Sequence, residues 1–272
     1  MIAQEQIFAE LEAAGLSGRD AVVHSSLKSF GYVLGGAEAV ASALTRCFST
    51  TVVPTFLWGE GSPELRRPPG EAVARNGLDE DDGPDPTLAA VPFDPERSVM
   101  ARDMGAIARA VRALPGALRG SHPLASWAAV GQNARDLVAA QPFDDPFYPL
   151  RRLMESNGVV VMFGVGLTRC TAIHLAEELA GRKPFVRWVL LSDGDVARVR
   201  VGGCSNGFER LRPKLEPVLR EARIGSCQIT IASVAELVEW ASRAIRAEPE
   251  LTVCARSGCA RCRDALAGGP KD

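Results

Sequence analysis

The chain has 272 residues, 46% hydrophobic and 24% charged, which is typical of a folded protein with one large domain or two small ones. Its formal net charge of −2 argues against a nucleic-acid-binding protein with a basic face. No apolar run approaches the roughly 20 residues of a membrane-spanning helix, and the first residues lack the segments of a signal peptide, so we expect a cytoplasmic protein that binds neither nucleic acids nor membranes.

The first half of the chain alternates predicted helices and strands. Apolar periodicity predicts helices over 4–14 and 37–48, and buried strands over 21–26 and 50–56. The loop before the second helix is rich in serine and glycine. Such a loop at a helix start can bind an anion, because backbone N–H groups and the positive end of the helix dipole point at it. It could equally be a turn that only starts the helix.

A proline-rich segment follows, over residues 59–97. Its seven prolines interrupt any regular element. It contains the acidic run Asp79-Glu80-Asp81-Asp82. This run is either a solvated loop or a lid whose negative field attracts a polycation.

The second half has the same alternation. Helices are predicted over 102–114, 132–140, 150–156, 206–222 and 233–247, and strands over 126–130, 159–166, 187–192 and 197–201. No internal repeat or linker divides the chain. We therefore predict a single α/β domain over residues 1–272, with a mixed sheet flanked by helices and a cysteine-containing tail from about residue 250.

The chain has three histidines, His24, His122 and His174. Histidine exchanges a proton near neutral pH and is the first candidate for a general base. His174 and Glu177 share a helix face, so the carboxylate could fix the tautomer of this histidine or of another one. Each of these residues could instead be an ordinary hydrogen-bonding or surface residue.

The C-terminal region carries a cysteine cluster. Cys254, Cys259 and Cys262 have a C-x4-C-x2-C spacing, which suits thiolate metal ligands. A tetrahedral zinc ion needs a fourth ligand, for which Cys204 is the best candidate and Cys227 the alternative. A site with four thiolates has no open coordination position, so zinc would be structural and would tie the tail to the body.

Functions of different classes fit these residues. One is a transferase that uses a phosphorylated carrier such as coenzyme A, with a histidine base and a supporting carboxylate. Another is a zinc-thiolate binding or regulatory protein without acyl transfer. A hydrolase with Ser121 or Ser126 as nucleophile is less favoured, because the chain has no Gly-x-Ser-x-Gly motif.

Four collinear segments resemble motifs of the aminoglycoside 3-N-acetyltransferase family, also called the antibiotic N-acetyltransferase family. They are residues 23–36, 104–119, 121–131 and 171–177. The resemblance implies that family's own α/β fold rather than the GNAT fold. It also implies an antibiotic-resistance enzyme that transfers the acetyl group of acetyl-CoA directly to the 3-amino group of an aminoglycoside. A different small amine is the alternative acceptor for the same fold, and the oligomeric state, including a homodimer, stays open.

The resemblance also implies roles for individual residues. His122 matches the catalytic base and Glu177 an active-site carboxylate. Acetyl-CoA would be bound by residues of two segments, namely His24, Ser25, Ser26, Leu27, Gly31, Gly35 and Gly36, and Met104 and Gly105. A polycationic acceptor would be bound by acidic and polar residues, namely Asp79, Asp81, Asp82, Asp144, Thr171 and His174. Many members have a second histidine where this chain has Ala125, which leaves the acceptor open.

Overall fold

The computed structural model describes residues 1–71, 73–77 and 89–271. Its strands are β1 (Asp20–Ser25), β2 (Thr50–Pro54), β3 (Glu64–Leu65), β4 (Leu118–Arg119), β5 (Trp127–Gly131), β6 (Val159–Phe163), β7 (Phe185–Leu190), β8 (Val196–Val201), β9 (Arg220–Ile224) and β10 (Cys227–Ser233). Its α-helices are α1 (Gln4–Ala13), α2 (Gly36–Cys47), α3 (Gly105–Arg112), α4 (Tyr148–Glu155), α5 (Ala172–Leu179), α6 (Arg212–Leu215), α7 (Val234–Ala247) and α8 (Ala260–Leu266).

A seven-stranded mixed sheet has the order β4-β5-β2-β1-β6-β10-β9. β1 lies at its centre and pairs in parallel with β2 and β6, so that Val22 lies opposite Val52 on one side and Val160 on the other. The outer strands run antiparallel to their neighbours. The three parallel strands are almost entirely buried and β6 is wholly apolar, as expected for strands covered on both faces.

Helices cover both faces of this sheet. Successive residues of β1 point to opposite faces, so Val23 packs with α1, α2 and α3, and Val22 packs with α4, α5 and α7. The two apolar cores are therefore separated by the sheet. The predicted single α/β domain with a mixed sheet flanked by helices is confirmed.

A smaller sheet of order β3-β7-β8 lies beside the first. β7 and β8 form a hairpin across Asp193-Gly194-Asp195, as the turn sequence predicts. Val189 and Val199 pack on Leu124, which joins this sheet to the loop before β5. The small sheet thus supplies a wall beside one edge of the parallel strands.

Several elements in the second half differ from the prediction, and the short helix α8 is absent from it. The helix predicted over 206–222 is wrong, because this stretch holds two 3₁₀ turns, the four-residue α6 and the start of strand β9. Pro213 and Pro217 have no backbone N–H and break a continuous helix. β10 is absent from the prediction, although Cys227, Ile229 and Ile231 alternate onto one buried face. Among the described residues, no helix is long and apolar enough to cross a membrane.

Candidate active site

A cleft of about 1040 Å³ lies at the carboxyl ends of the three parallel strands. Its walls include residues at or just beyond the end of each strand, namely Ser25 and Ser26 at β1, Phe56 and Leu57 at β2, and Gly164 and Val165 at β6. Helices α3 and α5 begin at the same cleft, at Gly105 and just after Thr171. Ligands of open α/β sheets bind in this position, outside the carboxyl ends of the strands. The topology therefore marks this cleft as the candidate site.

His174 lines the cleft and is held rigidly. Its Nδ1 lies 2.8 Å from Oε2 of Glu177, one turn along α5. The ring stacks on Phe147 and meets Phe208 edge-on, with ring centroids 6.2 and 4.7 Å away. On another side it contacts Gly202, where a Cβ would lie 2.9 Å from the imidazole Cδ2.

The second ring nitrogen of His174 has a different environment. Nε2 has no hydrogen-bond partner among the described residues, so Nδ1–H can donate to Glu177 while Nε2 keeps its lone pair. A carboxylate on one ring nitrogen and an unoccupied lone pair on the other is the arrangement of a general base. The helix spacing in the sequence predicts this pair.

His122 lies outside the cleft and is fully buried. Its Nδ1 accepts hydrogen bonds from the backbone N–H groups of Leu124 and Ala125, at 3.2 and 3.0 Å. Its Nε2 donates to the carbonyl oxygen of Arg200 on β8, at 2.8 Å. Both ring nitrogens are therefore occupied. This geometry corrects the assignment of the base to His122, because its ring shapes the wall loop and presents no nitrogen to a substrate.

Two histidines make the folded protein sensitive to mild acid. Burial lowers the pKa of both His24 and His122 from about 6.5 to about 4. The unfolded chain therefore binds more protons than the folded one between these values, and the free energy of unfolding falls as the pH drops from about 6.5 to about 4. At 1.36 kcal/mol per pKa unit, the loss approaches about 3 kcal/mol for each histidine.

Urea unfolding at several pH values from 7.5 to 4 tests this prediction. His122→Gln should flatten the pH dependence relative to the wild type, because glutamine does not titrate. The carboxylates that protonate in the same range are common to both proteins and cancel in the comparison. An identical slope in the two proteins would contradict a buried neutral His122.

The residues predicted to bind acetyl-CoA divide into two groups. His24, Ser25, Ser26, Leu27, Met104 and Gly105 all line the cleft. Gly31, Gly35 and Gly36 do not, because the segment between them holds the N-terminus: Ile2 pairs with Val33 and bonds the backbone of Tyr32 and Leu34. The expected anion cradle at the start of α2 therefore lies away from the cleft, at which α3 and α5 begin instead.

The residues predicted to bind the acceptor are also divided. Thr171 and His174 line the cleft, whereas Asp144 is exposed and lies outside its lining. Asp79, Asp81 and Asp82 fall outside the described residues. In the described lining, the cations Lys28, Arg102, Arg169, Arg187 and Arg261 outnumber the acids Glu64 and Asp103.

Sequence reasoning misses Arg182, which binds the other oxygen of Glu177 at 2.6 Å. It also misses Phe147, Phe208 and Gly202, which enclose the His174 ring. The aromatic and glycine contacts come from segments distant in the chain. Arg182 lies five residues after Glu177, beyond the end of α5, so no helical spacing points to it.

Four cysteines from the C-terminal half of the chain lie close together. The sulfur atoms of Cys204, Cys254, Cys259 and Cys262 all lie within 4.8 Å of one another. A tetrahedral zinc ion with Zn–S bonds of about 2.3 Å requires sulfur atoms in this range, and four thiols are a donor set that zinc prefers. Cys227 lies elsewhere, with its sulfur 3.0 Å from the Ser29 hydroxyl. The folded chain therefore brings together the four residues that the sequence favours as ligands.

Comparisons with known proteins agree with this geometry. The family model described as aminoglycoside 3-N-acetyltransferase matches residues 22–246. Aminoglycoside N(3)-acetyltransferase VII of Streptomyces paromomycinus is 34% identical over 209 residues, which are 71% of this chain and 68% of the relative. Several other curated relatives are matched over slightly less than two thirds of their length.

Solved structures show the same fold. The structure of AAC-IIIb with CoASH has a TM-score of 0.71 at 24% identity and covers 94% of this chain and 99% of its own. A variant of aminoglycoside acetyltransferase AAC(3)-IVa in complex with a gentamicin has a TM-score of 0.74 at 22% identity, with coverage of 98% and 97%. The resemblance read from four sequence segments is confirmed, and the chain belongs to the aminoglycoside 3-N-acetyltransferase family.

Proposed function

We propose that this protein transfers the acetyl group of acetyl-CoA to the 3-amino group of an aminoglycoside, with His174 as the general base. The observation that carries the proposal is the His174–Glu177 pair in the wall of the cleft, where Nε2 of His174 has no hydrogen-bond partner in the part of the chain that the structure describes. Family membership supplies the reaction class, and the named structural relatives bind CoASH and a gentamicin.

The donor fits the basic part of the cleft. Lys28, Arg102 and Arg169 line it close to the starts of α3 and α5. Their charges and the N-terminal N–H groups of the two helices suit the phosphates of coenzyme A. The thioester would then lie deeper, near Thr171 and His174.

The chemical step follows from the state of His174. Nε2 takes a proton from the acceptor amine, and the amine nitrogen forms a bond to the thioester carbonyl carbon. The resulting imidazolium is stabilised by Glu177 through Nδ1–H. The C–S bond then breaks, and the CoA thiolate takes the proton back from His174. General-base catalysis of this kind contributes about 10²- to 10⁴-fold to the rate.

Direct transfer is favoured over an acyl-enzyme. Cys170 lines the cleft, but burial raises the pKa of its thiol to about 12, so the reactive thiolate is scarce at neutral pH. Ser126 is buried and bonded to Thr55 and Arg119, which removes it as a nucleophile and as an oxyanion donor. Thr171, at the start of α5, remains the candidate donor to the oxyanion.

We also propose that Cys204, Cys254, Cys259 and Cys262 hold a structural zinc ion. Four thiolates would complete its coordination and leave no position for a substrate. Zinc would then fold the C-terminal segment onto the cleft wall, because Cys204 follows Gly202, which contacts His174. Reduced thiols and acetyl-CoA both fit a cytoplasmic location.

A second acceptor class is favoured by the charge of the cleft. Arg187 and Arg261 also line it, and Glu64, one of the two acids in its described lining, pairs with Arg187 at 3.4 Å. Cationic walls repel a polycation and attract an anion. The second candidate is therefore a small primary amine that also carries a carboxylate or phosphate group.

A CoA-release assay with a panel of amines separates the two candidates. With acetyl-CoA, we expect kcat/KM of about 10⁴ M⁻¹s⁻¹ or more for a 2-deoxystreptamine aminoglycoside such as gentamicin or sisomicin. Mass and NMR analysis of the product should locate the acetyl group on the 3-amino nitrogen. Acetylation of carboxylate-bearing amines alone would replace the aminoglycoside by the second acceptor class, and no transfer to any amine would refute both.

A further inference from the structure

Arg182 is buried and fully engaged at the end of α5. One guanidinium nitrogen, Nη1, donates to Oε1 of Glu177 at 2.6 Å and to the Thr252 hydroxyl at 2.5 Å. The other, Nη2, donates to the carbonyl oxygen of Pro249 at 2.5 Å. Five residues are therefore linked by hydrogen bonds, and Arg182 and His174 bind opposite oxygens of the Glu177 carboxylate.

We propose that Arg182 is a positioning residue for His174. By binding one oxygen of Glu177, its positive charge offsets part of the negative charge of the carboxylate and so keeps the His174 ring neutral, as a base must be. This inference rests on the proposed function of His174. Without Arg182, Glu177 would be a buried carboxylate whose one remaining cationic partner is the imidazolium. Such a pair attracts strongly in a poorly solvated site and would hold the proton on His174. Arginine carries a permanent charge, so it weakens that attraction at every physiological pH.

Several other charged groups around His174 form ion pairs with residues other than Glu177. Glu178 pairs with Arg151 at 2.7 Å, and Arg151 also binds Asp145. Of the other charged residues nearby, Glu209 pairs with Arg212, Arg246 bonds the Leu179 carbonyl, and Arg200 lies on β8. Lys183 lines a small pocket together with His174 and Glu177, and Arg187 and Arg261 line the cleft. On α7, which packs against α5, Arg243 pairs with Glu239, and Glu236 lies in the first turn. Among the described residues, Glu177 is the one charged side chain hydrogen-bonded to the His174 ring.

Arg182 also links the pair to the C-terminal segment. Its partners Pro249 and Thr252 belong to a 3₁₀ turn that ends two residues before Cys254. The orientation of Glu177 is thus set from two directions, by its own helix and by this turn. Loss of the arginine would leave one carboxylate oxygen and the Thr252 hydroxyl without their shared partner.

The pH dependence of kcat/KM distinguishes positioning by charge from simple packing. Arg182→Met keeps the length of the side chain and removes its charge. We expect the acid limb of its profile to move to higher pH by about one unit, so activity falls by up to about tenfold at the acid end and is nearly unchanged on the alkaline plateau. Arg182→Lys should restore a nearly normal acid limb, and the KM for acetyl-CoA should not change. Thr252→Val is the matched control, since it removes one hydrogen bond and no charge.

A second measurement does not need acyl transfer. The chain has three histidines, so the imidazole NMR signal of His174 is assigned by its loss in His174→Gln. In Arg182→Met this signal should titrate about one pH unit higher than in the wild type. Arg182→Gln gives a second neutral variant if the methionine variant does not fold. A uniform loss of rate with an unmoved acid limb and NMR titration would overturn the inference, whereas a shifted titration without any acyl transfer would refute only the proposed function.

Discussion

His174→Gln should lower kcat about 10²- to 10⁴-fold, the share of the rate that a positioned general base supplies. Glutamine can still occupy the space between Phe147 and Phe208, and its amide can still bond Glu177, but it cannot accept a proton at neutral pH. Because the donor would be held at the other part of the cleft, binding of CoA should be unchanged. The loss should therefore fall on kcat rather than on the KM for acetyl-CoA.

His122→Gln is the control for this experiment. It replaces a fully buried ring whose three hydrogen bonds hold the loop at Leu124 and Ala125 against β8. We expect a stability loss of about 1–3 kcal/mol, since an imperfect replacement leaves buried backbone groups unpaired. Per folded molecule, at a temperature below the unfolding transition, its kcat should stay within a few-fold of the wild type. If instead the His122 variant lost all activity while the His174 variant kept it, the base would have to be reassigned to His122.

Removal of zinc is expected to be the largest single perturbation of stability. Structural zinc sites in small domains supply on the order of 10 kcal/mol of apparent binding energy, which is also folding energy. Purified protein should contain about one zinc per chain. Cys262→Ser should lose most of it and melt at least ten degrees lower, since Cys262 is buried beside Cys254 and its sulfur also accepts a backbone hydrogen bond.

Cys227→Ser is the matched variant, because Cys227 is also buried but lies beside Ser29, apart from the four converging thiols. It should keep its zinc. Prolonged treatment with a strong chelator should lower the melting temperature of the wild type and of Cys227→Ser alike, with little effect on Cys262→Ser. Protein that contains no metal after purification without chelators and is still fully stable would refute the structural zinc ion.

The sequence predicts the fold well where local rules apply. Strands β1, β2 and β6 are apolar runs, and the helices between them show apolar periodicity, so their existence and order can be predicted. The region after residue 206 cannot be read in this way, because its prolines and short elements mix helical and strand patterns. The sequence likewise predicts only two strands of the sheet β3-β7-β8, since β3 consists of two residues within a proline-rich segment.

The active-site residues can likewise be predicted only where local sequence rules apply. The i,i+3 spacing places His174 beside Glu177 without any knowledge of the fold, and three of the four clustered cysteines lie within nine residues of one another. Which histidine faces the cleft depends on long-range contacts. The Nε2 atom of His122 is occupied by the carbonyl oxygen of Arg200, which lies 78 residues away in the chain, so His122 does not face the cleft as a base. No local sequence pattern contains that information.

The contact between Gly202 and the His174 ring has an evolutionary consequence. Every single-nucleotide change in a glycine codon that yields another amino acid adds a side chain, and any Cβ at this position would collide with the imidazole. Substitutions of Gly202 should therefore displace the His174 ring, so this position is not expected to vary when the range of acceptors changes. We expect changes in acceptor range to accumulate at other cleft residues such as Trp58, whose exposed side chain makes no ring contact with His174.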